Sequence, residues 1–255
     1  MVKGMDVFTS HFEKYADHYI LIGGGACDVQ MQEKGVGFRA TKDLDIILIV
    51  EALTNDFVNH FWQFIKDGEY VIGEVGNKKT FYRFIKPNVE GYPYMIELFS
   101  RRPDVIKEIE GMHLTDIPTG EEVSSLSAIL LDDEFYNFTL SNSQMINGLH
   151  VANDIALICL KARAFLNNLE LKQKKVAIQE NNIVKHKNDI IRLTATLTPG
   201  TTIQTPSIMK NDLIKYIGIV KSEKPDVNQI LKGIGTGEVT LDEIIKTLED
   251  TFALK

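Results

Sequence analysis

Cysteine is almost absent from this chain: Cys27 and Cys159 are the two in 255 residues. Two thiols exclude a disulfide-stapled scaffold at this length and a four-cysteine zinc site, and they make a reducing cytoplasm the expected compartment. Histidine does not fill the gap. His11, His18, His60, His113, His150 and His186 contain no HxxxH pair, so a histidine-rich metal centre is not expected. Long apolar runs are missing as well. The longest, residues 46–50 and 155–160, fall far short of the roughly 20 apolar residues a bilayer span needs. The opening residues carry Asp6, His11 and Glu13 without an apolar stretch, so neither a signal peptide nor a membrane partner is expected. No GxSxG, CxxC or HExxH occurs, and no GKS or GKT tripeptide. The familiar signatures of serine hydrolases, thiol redox enzymes, zinc proteases and P-loop proteins are therefore missing. Basic charge is also in deficit: 28 Lys and Arg stand against 35 Asp and Glu, a net charge of −7. That argues against coating nucleic acid by bulk charge and leaves room for a local basic patch.

What is present is an ordinary globular composition, 44% hydrophobic and 25% charged, long enough for one large domain or two small ones. Residues 1–150 alternate apolar β-prone runs with helical periods. Residues 19–22 read as a strand stopped by Gly23-Gly24-Gly25, and residues 44–50 as a buried strand. Thr54 reads as the N-cap of a helix through Lys66, with Phe57, Phe61, Phe64 and Ile65 on one face and Gly68 ending it. Residues 70–75, 80–85 and 94–99 read as strands, the first two joined in a hairpin by a turn at Gly76-Asn77. Further short strands are expected at 127–131 and 135–140. Residues 151–255 are mostly helical, with a helix from Asn153 or Asp154 to about Asn168, a break at Pro199-Gly200, and short helices at 211–221, 226–232 and 241–252. The expected class is α+β: a mixed sheet flanked by helices, followed by a helical C-terminal domain.

The chemistry concentrates in residues 21–49, LIGGGACDVQMQEKGVGFRATKDLDIILI. Asp43 and Asp45 stand two apart at the start of a strand, so both carboxylates face the same way. They are either solvated strand-start residues or paired hard oxygens for Mg²⁺, which keeps waters and substrate phosphates as further ligands. A pair of such ions can activate an attacking oxygen and steady a leaving pyrophosphate. Gly23-Gly24-Gly25 is either a plain tight turn or a place where backbone N–H groups approach phosphate at a helix N-terminus. A dinucleotide fingerprint is excluded because its sixth position is Asp28. Glu97, between Ile96 and Leu98, is an edge-facing polar residue, a third metal ligand, or the acceptor of an attacking hydroxyl's proton. Lys161 interrupts the apolar helix 155–160 and either snorkels or faces a triphosphate, and Arg39 offers a second cation from its loop.

In order along the chain, LIGGGA, Arg39-Ala40-Thr41-Lys42-Asp43-Leu44-Asp45, Ile96-Glu97-Leu98, the lysine helix around Lys161, and the segment 185–193 with Asp189 resemble the AbiEii/AbiGii toxin type of nucleotidyltransferase. That family lies within the superfamily of the DNA polymerase β type of catalytic domain. The resemblance covers roughly residues 15 to 195. It implies a mixed sheet flanked by helices, Mg²⁺ dependence with a two-metal site, and transfer of a nucleoside monophosphate from NTP to an acceptor. By it, Gly23, Gly24, Arg39, Thr41 and Lys161 bind the nucleotide, and Asp43, Asp45 and Glu97 hold metal. A toxin role, with an antitoxin as partner, is also implied. The chain departs from the family at Gly25, often a hydroxyl or small residue there, and at Glu97, where the superfamily usually has Asp. Residues 199–255 resemble nothing named.

Residues 161–192 carry Lys161, Arg163, Lys172, Lys174, Lys175, Lys185, Lys187 and Arg192 against Glu170, Glu180 and Asp189. The stretch is either a solvated helix face or a surface for an RNA or tRNA acceptor. With Phe165 its only aromatic, base stacking is not supported. Protein side chains and small molecules are the other acceptor classes. A catalytically inactive nucleotide- or protein-binding module on the same fold is the alternative to an enzyme.

Overall fold

The apolar run that follows Asp45 lies in the middle of a seven-stranded mixed sheet. The computed structural model describes residues 2–75, 78–101, 132–176, 178–235 and 237–254. Its strands are β1 (Tyr19–Ile22), β2 (Asp43–Leu48), β3 (Val71–Val75), β4 (Lys78–Ile85), β5 (Met95–Phe99), β6 (Ser143–Ile146) and β7 (Leu149–Ala152). They are ordered β3-β4-β5-β2-β1-β7-β6. β2 runs antiparallel to β1 and parallel to β5, and β1 runs parallel to β7. All four residues of β1 and the run 46–48 of β2 are buried, as expected of apolar strands covered on both faces. The described residues group into two compact units, Met1–Val29 with Arg39–Asn153 and Gln30–Phe38 with Asp154–Lys255.

The first unit holds the sheet and helices α1 (Met5–Phe12), the start of α2 (Gly23–Glu33), α3 (Asn55–Asp67) and α4 (Asp133–Ser141). α3 forms as its periodicity predicts. Thr54 caps it by accepting from the Phe57 backbone N–H at 3.2 Å, and Phe57, Phe61, Phe64 and Ile65 are buried. Phe8 and Phe12 of α1 pack against this face, with Phe12 and Phe64 ring centroids 5.3 Å apart. Burial of each such ring contributes about 1.5–3 kcal/mol. His11 stacks on His60 at 4.0 Å. Each ring donates from Nε2 to the other's backbone carbonyl, at 3.2 and 2.7 Å. A carbonyl oxygen only accepts, so Nε2 carries a hydrogen on both rings.

The strand expected at 135–140 is instead the helix α4. Asp132 caps it, accepting from the Glu134 and Phe135 backbone N–H groups at 2.8 and 3.4 Å, and Asp133 and Glu134 suit the positive end of its first turn. These start signals outweigh the β preference of Phe135, Tyr136 and Phe138. Gly23-Gly24-Gly25 is not a separate turn but the first turn of α2. β3 and β4 pair as an antiparallel hairpin, while the expected turn at Gly76-Asn77 and the expected strand at 127–131 lie outside the described residues.

The second unit is helical, with α5 (Asp154–Gln173), α6 (Glu180–Thr194), α7 (Ser207–Glu223), α8 (Val227–Ile230) and α9 (Leu241–Thr251). α5 is buried continuously from Ala156 to Ala162, which places it at the centre of this unit. α9 opens on a full capping box between Thr240 and Glu243. Among the described residues, no helix is long and apolar enough to cross a membrane.

Candidate active site

β1 ends at Ile22, whose cross-strand partner is Asp45. The chain then turns straight into α2 through Gly23, so the first amides of that helix lie beside the Asp45 carboxylate. The fit is close. Gly23 has φ +67°, and a Cβ placed there would fall 1.8 Å from Asp45 Oδ2. A Cβ on Gly24 would fall 2.8 Å from Thr41 Oγ1 and 3.5 Å from Arg39 Nη2. Any side chain at either position would occupy the space these polar groups use. The first turn of α2 contains no acidic residue, so nothing in that turn offsets the partial positive charge of the helix N-terminus. Gly23, Gly24, Arg39, Thr41 and Asp45 are thus brought together.

Asp43 and Asp45 are both half-buried, between the buried Leu44 and Ile46. They share one face of β2 by the two-residue period of a strand. On the neighbouring parallel strand β5, Met95 is level with Asp43 and Glu97 is level with Asp45. Glu97 is therefore the nearest cross-strand acid to Asp45. It is engaged on its other side by Arg83 of β4, whose Nε donates to Glu97 Oε1 at 2.6 Å.

The resemblance implies Mg²⁺, and the donor set agrees with it in kind. Two carboxylates on one face supply hard oxygens, and Asp45 and Thr41 approach Gly23 and Gly24 too closely for any side chain to stand at either position. Asp43 and Asp45 would hold it. Among the described residues, no group of three or more His, Cys, Asp or Glu is gathered for metal binding.

Lys161 belongs to the helical unit. It is buried on α5, and its Nζ donates to Asp189 Oδ2 of α6 at 2.8 Å. Asp189 is fully buried and also receives Arg192 Nη1 at 3.1 Å. Neither Asp189 as the partner of Lys161 nor Arg83 as the partner of Glu97 was legible in the sequence. Spacing along a chain does not reveal which acid a buried cation meets across two helices. Arg83 had one signal, a lone charge in the run 81–85, which meets Glu97 only once the β4–β5 register is known.

Five of the eight cations of the basic stretch 161–192 form ion pairs within their own unit. Besides Lys161 and Arg192 on Asp189, Arg163 Nε lies 2.8 Å from Asp212, Lys172 Nζ lies 2.7 Å from Glu180, and Lys187 pairs with Glu223. Burial pushes the Asp212 carboxyl up, and Arg163 opposes that shift. Asp212 and Glu223 lie outside the stretch, so a count confined to residues 161–192 overstates its surplus.

At the entrance to β2, the Lys42 ammonium lies 3.9 Å from the centroid of the Tyr94 ring, which is exposed, while the Tyr94 N–H donates to the Lys42 carbonyl at 3.1 Å. Chemically, the first unit offers a carboxylate pair for a hard cation, a side-chain-free helix start for an anion, and a guanidinium and a hydroxyl beside it. Set against protein-family models, curated proteins and solved structures, the chain matches none.

Proposed function

We propose that this protein is a Mg²⁺-dependent nucleotidyltransferase that moves a nucleoside monophosphate from an NTP to an acceptor. The observation that carries the reading is the contact of Gly23 with Asp45. A helix start stripped of side chains lies directly against a carboxylate that shares its strand face with Asp43. In this reading an anion on the helix start and a hard cation on the carboxylates would lie side by side, as a metal-bound triphosphate requires.

In this reading the backbone amides of Gly23 and Gly24 bind phosphate oxygens, with Arg39 and Thr41 beside them. Asp43 and Asp45 hold the ion, which when bound polarises the α-phosphate and offsets charge on the leaving pyrophosphate. The acceptor oxygen attacks the α-phosphorus, the bond to the β-phosphate oxygen breaks, and pyrophosphate leaves. The acceptor's proton passes to solvent water. Lys161, fixed on Asp189 in the other unit, belongs to this reading by resemblance alone.

RNA or tRNA, a protein side chain and a small molecule are the acceptor classes, and the paired state of the basic stretch does not favour RNA over the others. A toxin role with an antitoxin partner, in the cytoplasm, belongs to the same proposal. The second reading, an inactive nucleotide- or protein-binding module, draws on one observation: Glu97 is committed to Arg83.

The test is transfer of label from each α-labelled NTP with Mg²⁺ to total RNA, cell protein and a metabolite extract, with Asp45→Asn as control. Label in one acceptor class, lost in the variant, is the expected result. NTP binding without any transfer supports the inactive nucleotide-binding module, and no NTP binding at all overturns the nucleotidyltransferase reading and leaves only a protein-binding module.

A further inference from the structure

Arg83, Glu97 and Asp45 form one row across three strands. Arg83 is the antiparallel neighbour of Glu97, and Glu97 the parallel neighbour of Asp45, so the three side chains share a face of the sheet. Two carboxylates directly opposite one another on adjacent strands repel. Here the repulsion is answered from the far side of Glu97 by a charge-assisted bond of 2.6 Å from Arg83. The Glu97 side chain is 11% exposed and that of Arg83 31%, so the pair is anchored at its buried acid end. An acid turned to a guanidinium in this way accords with the lack of a three-acid metal cluster among the described residues.

We propose that Arg83 is a built-in cation standing in the charge-balancing role of a second divalent ion, so that the site takes one ion on Asp43 and Asp45 while Glu97 stays paired to Arg83. The inference rests on the nucleotidyltransferase reading and replaces its two-ion expectation with a single ion. A guanidinium keeps its charge at any ambient pH, whereas a second ion would come and go with Mg²⁺ concentration. Arg83 is a positioning residue here. It acts on the ion through Glu97 and not on the reacting atoms.

The experiment is a Mn²⁺ titration of the full chain without nucleotide, followed by loss of the free-ion electron paramagnetic resonance signal. Binding retained by an Asp43→Asn/Asp45→Asn variant is subtracted as surface binding. The wild type is expected to take one ion along a simple isotherm. Arg83→Gln is expected to take two, Arg83→Lys one because the charge is kept, and Arg83→Gln/Glu97→Gln one again. Circular dichroism verifies that each variant is folded, and the wild-type stoichiometry needs no variant. Two ions in the wild type, or one ion in a folded Arg83→Gln, overturn the inference and leave the nucleotidyltransferase reading standing. No site-specific ion in the wild type or in Arg83→Gln overturns the inference, while the nucleotidyltransferase reading is decided separately by the label-transfer test.

Discussion

Gly23 and Asp45 touch so closely that a single methyl group on Gly23 would overlap the Asp45 carboxylate, with its Cβ 1.8 Å from Oδ2 and 2.7 Å from Cγ. Gly23→Ala therefore combines a left-handed backbone strain of about 1–2 kcal/mol with displacement of the acid at the centre of the site. Displacement on this scale can lower a rate by about a hundredfold. Label transfer is expected to fall at least that far and the thermal midpoint to drop. Unchanged values for both would mean that Asp45 is not where its function requires it.

Gly25 should behave in the opposite way. A Cβ there would meet Leu44 Cδ2 at 3.4 Å and Met5 Cε at 3.6 Å, which is ordinary contact. Gly25→Ala removes a flexible residue from the first turns of α2 and should stabilise the protein by about 0.5–1 kcal/mol, with activity retained. Urea unfolding measures the gain. A loss of stability would show that the backbone at Gly25 is needed for something other than room.

The buried pair of Lys161 and Asp189 predicts an asymmetry. Removing one partner of a buried ion pair costs about 3–5 kcal/mol when the other is left uncompensated. Asp189→Leu takes from both Lys161 and Arg192 the carboxylate they share, whereas Lys161→Met leaves Asp189 with Arg192 at 3.1 Å. Denaturant unfolding should therefore find Asp189→Leu the more destabilised of the two, with the double variant less destabilised than the sum. Equal losses would mean that Arg192 does not share the charge of Asp189.

The stacked histidines predict a pH dependence. Burial holds the His11 imidazole below its ordinary value, and the His60 ring adds to that shift. The His60 carbonyl and Asp67 act against it. The folded state thus binds the proton less readily than the unfolded chain. Below about pH 6.5 the unfolded state takes up more protons, and stability falls as pH falls. His150 is shifted the same way by burial, so the comparison has to isolate His11. The thermal midpoint should fall less in His11→Gln than in the wild type between about pH 7.5 and about pH 5.5. Parallel falls in the two proteins would remove His11 from the account.

The Asp132 cap predicts a local cost. Asp132→Ala leaves the first amides of α4 without their acceptor and should destabilise by about 1 kcal/mol, measurable as a lower denaturation midpoint. No change would show that α4 does not depend on its cap.

Most of the sheet and of α3 was legible because their patterns are local. The runs at 19–22 and 44–48 have no polar interruption after Asp45, and the Phe57, Phe61, Phe64 and Ile65 stripe has a helical period. Local patterns also misled. Phe135, Tyr136 and Phe138 read as a strand until the acids at 132–134 are weighed as a helix start. The β6–β7 hairpin went unread although Asn147-Gly148 is its turn, with φ +49° and +81°, because each strand has only four residues. In the site, the Asp43–Asp45 spacing and the glycines could be read directly. That Glu97 lies level with Asp45 depends on parallel register, and the partners of Glu97 and Lys161 depend on tertiary contact, which no spacing encodes.

The strand order also sets a schedule for synthesis. β1 lies between β2 and β7, but β7 does not begin until Leu149. A nascent chain that has already made β1, β2 and the strands beyond them therefore carries one edge of β1, with the apolar Leu21 and Ile22, uncovered until residue 152 leaves the ribosome. An open apolar edge is a template for wrong pairing. Chains released early, before the β6–β7 hairpin, should accumulate as aggregates or chaperone clients rather than as a shortened but working first unit.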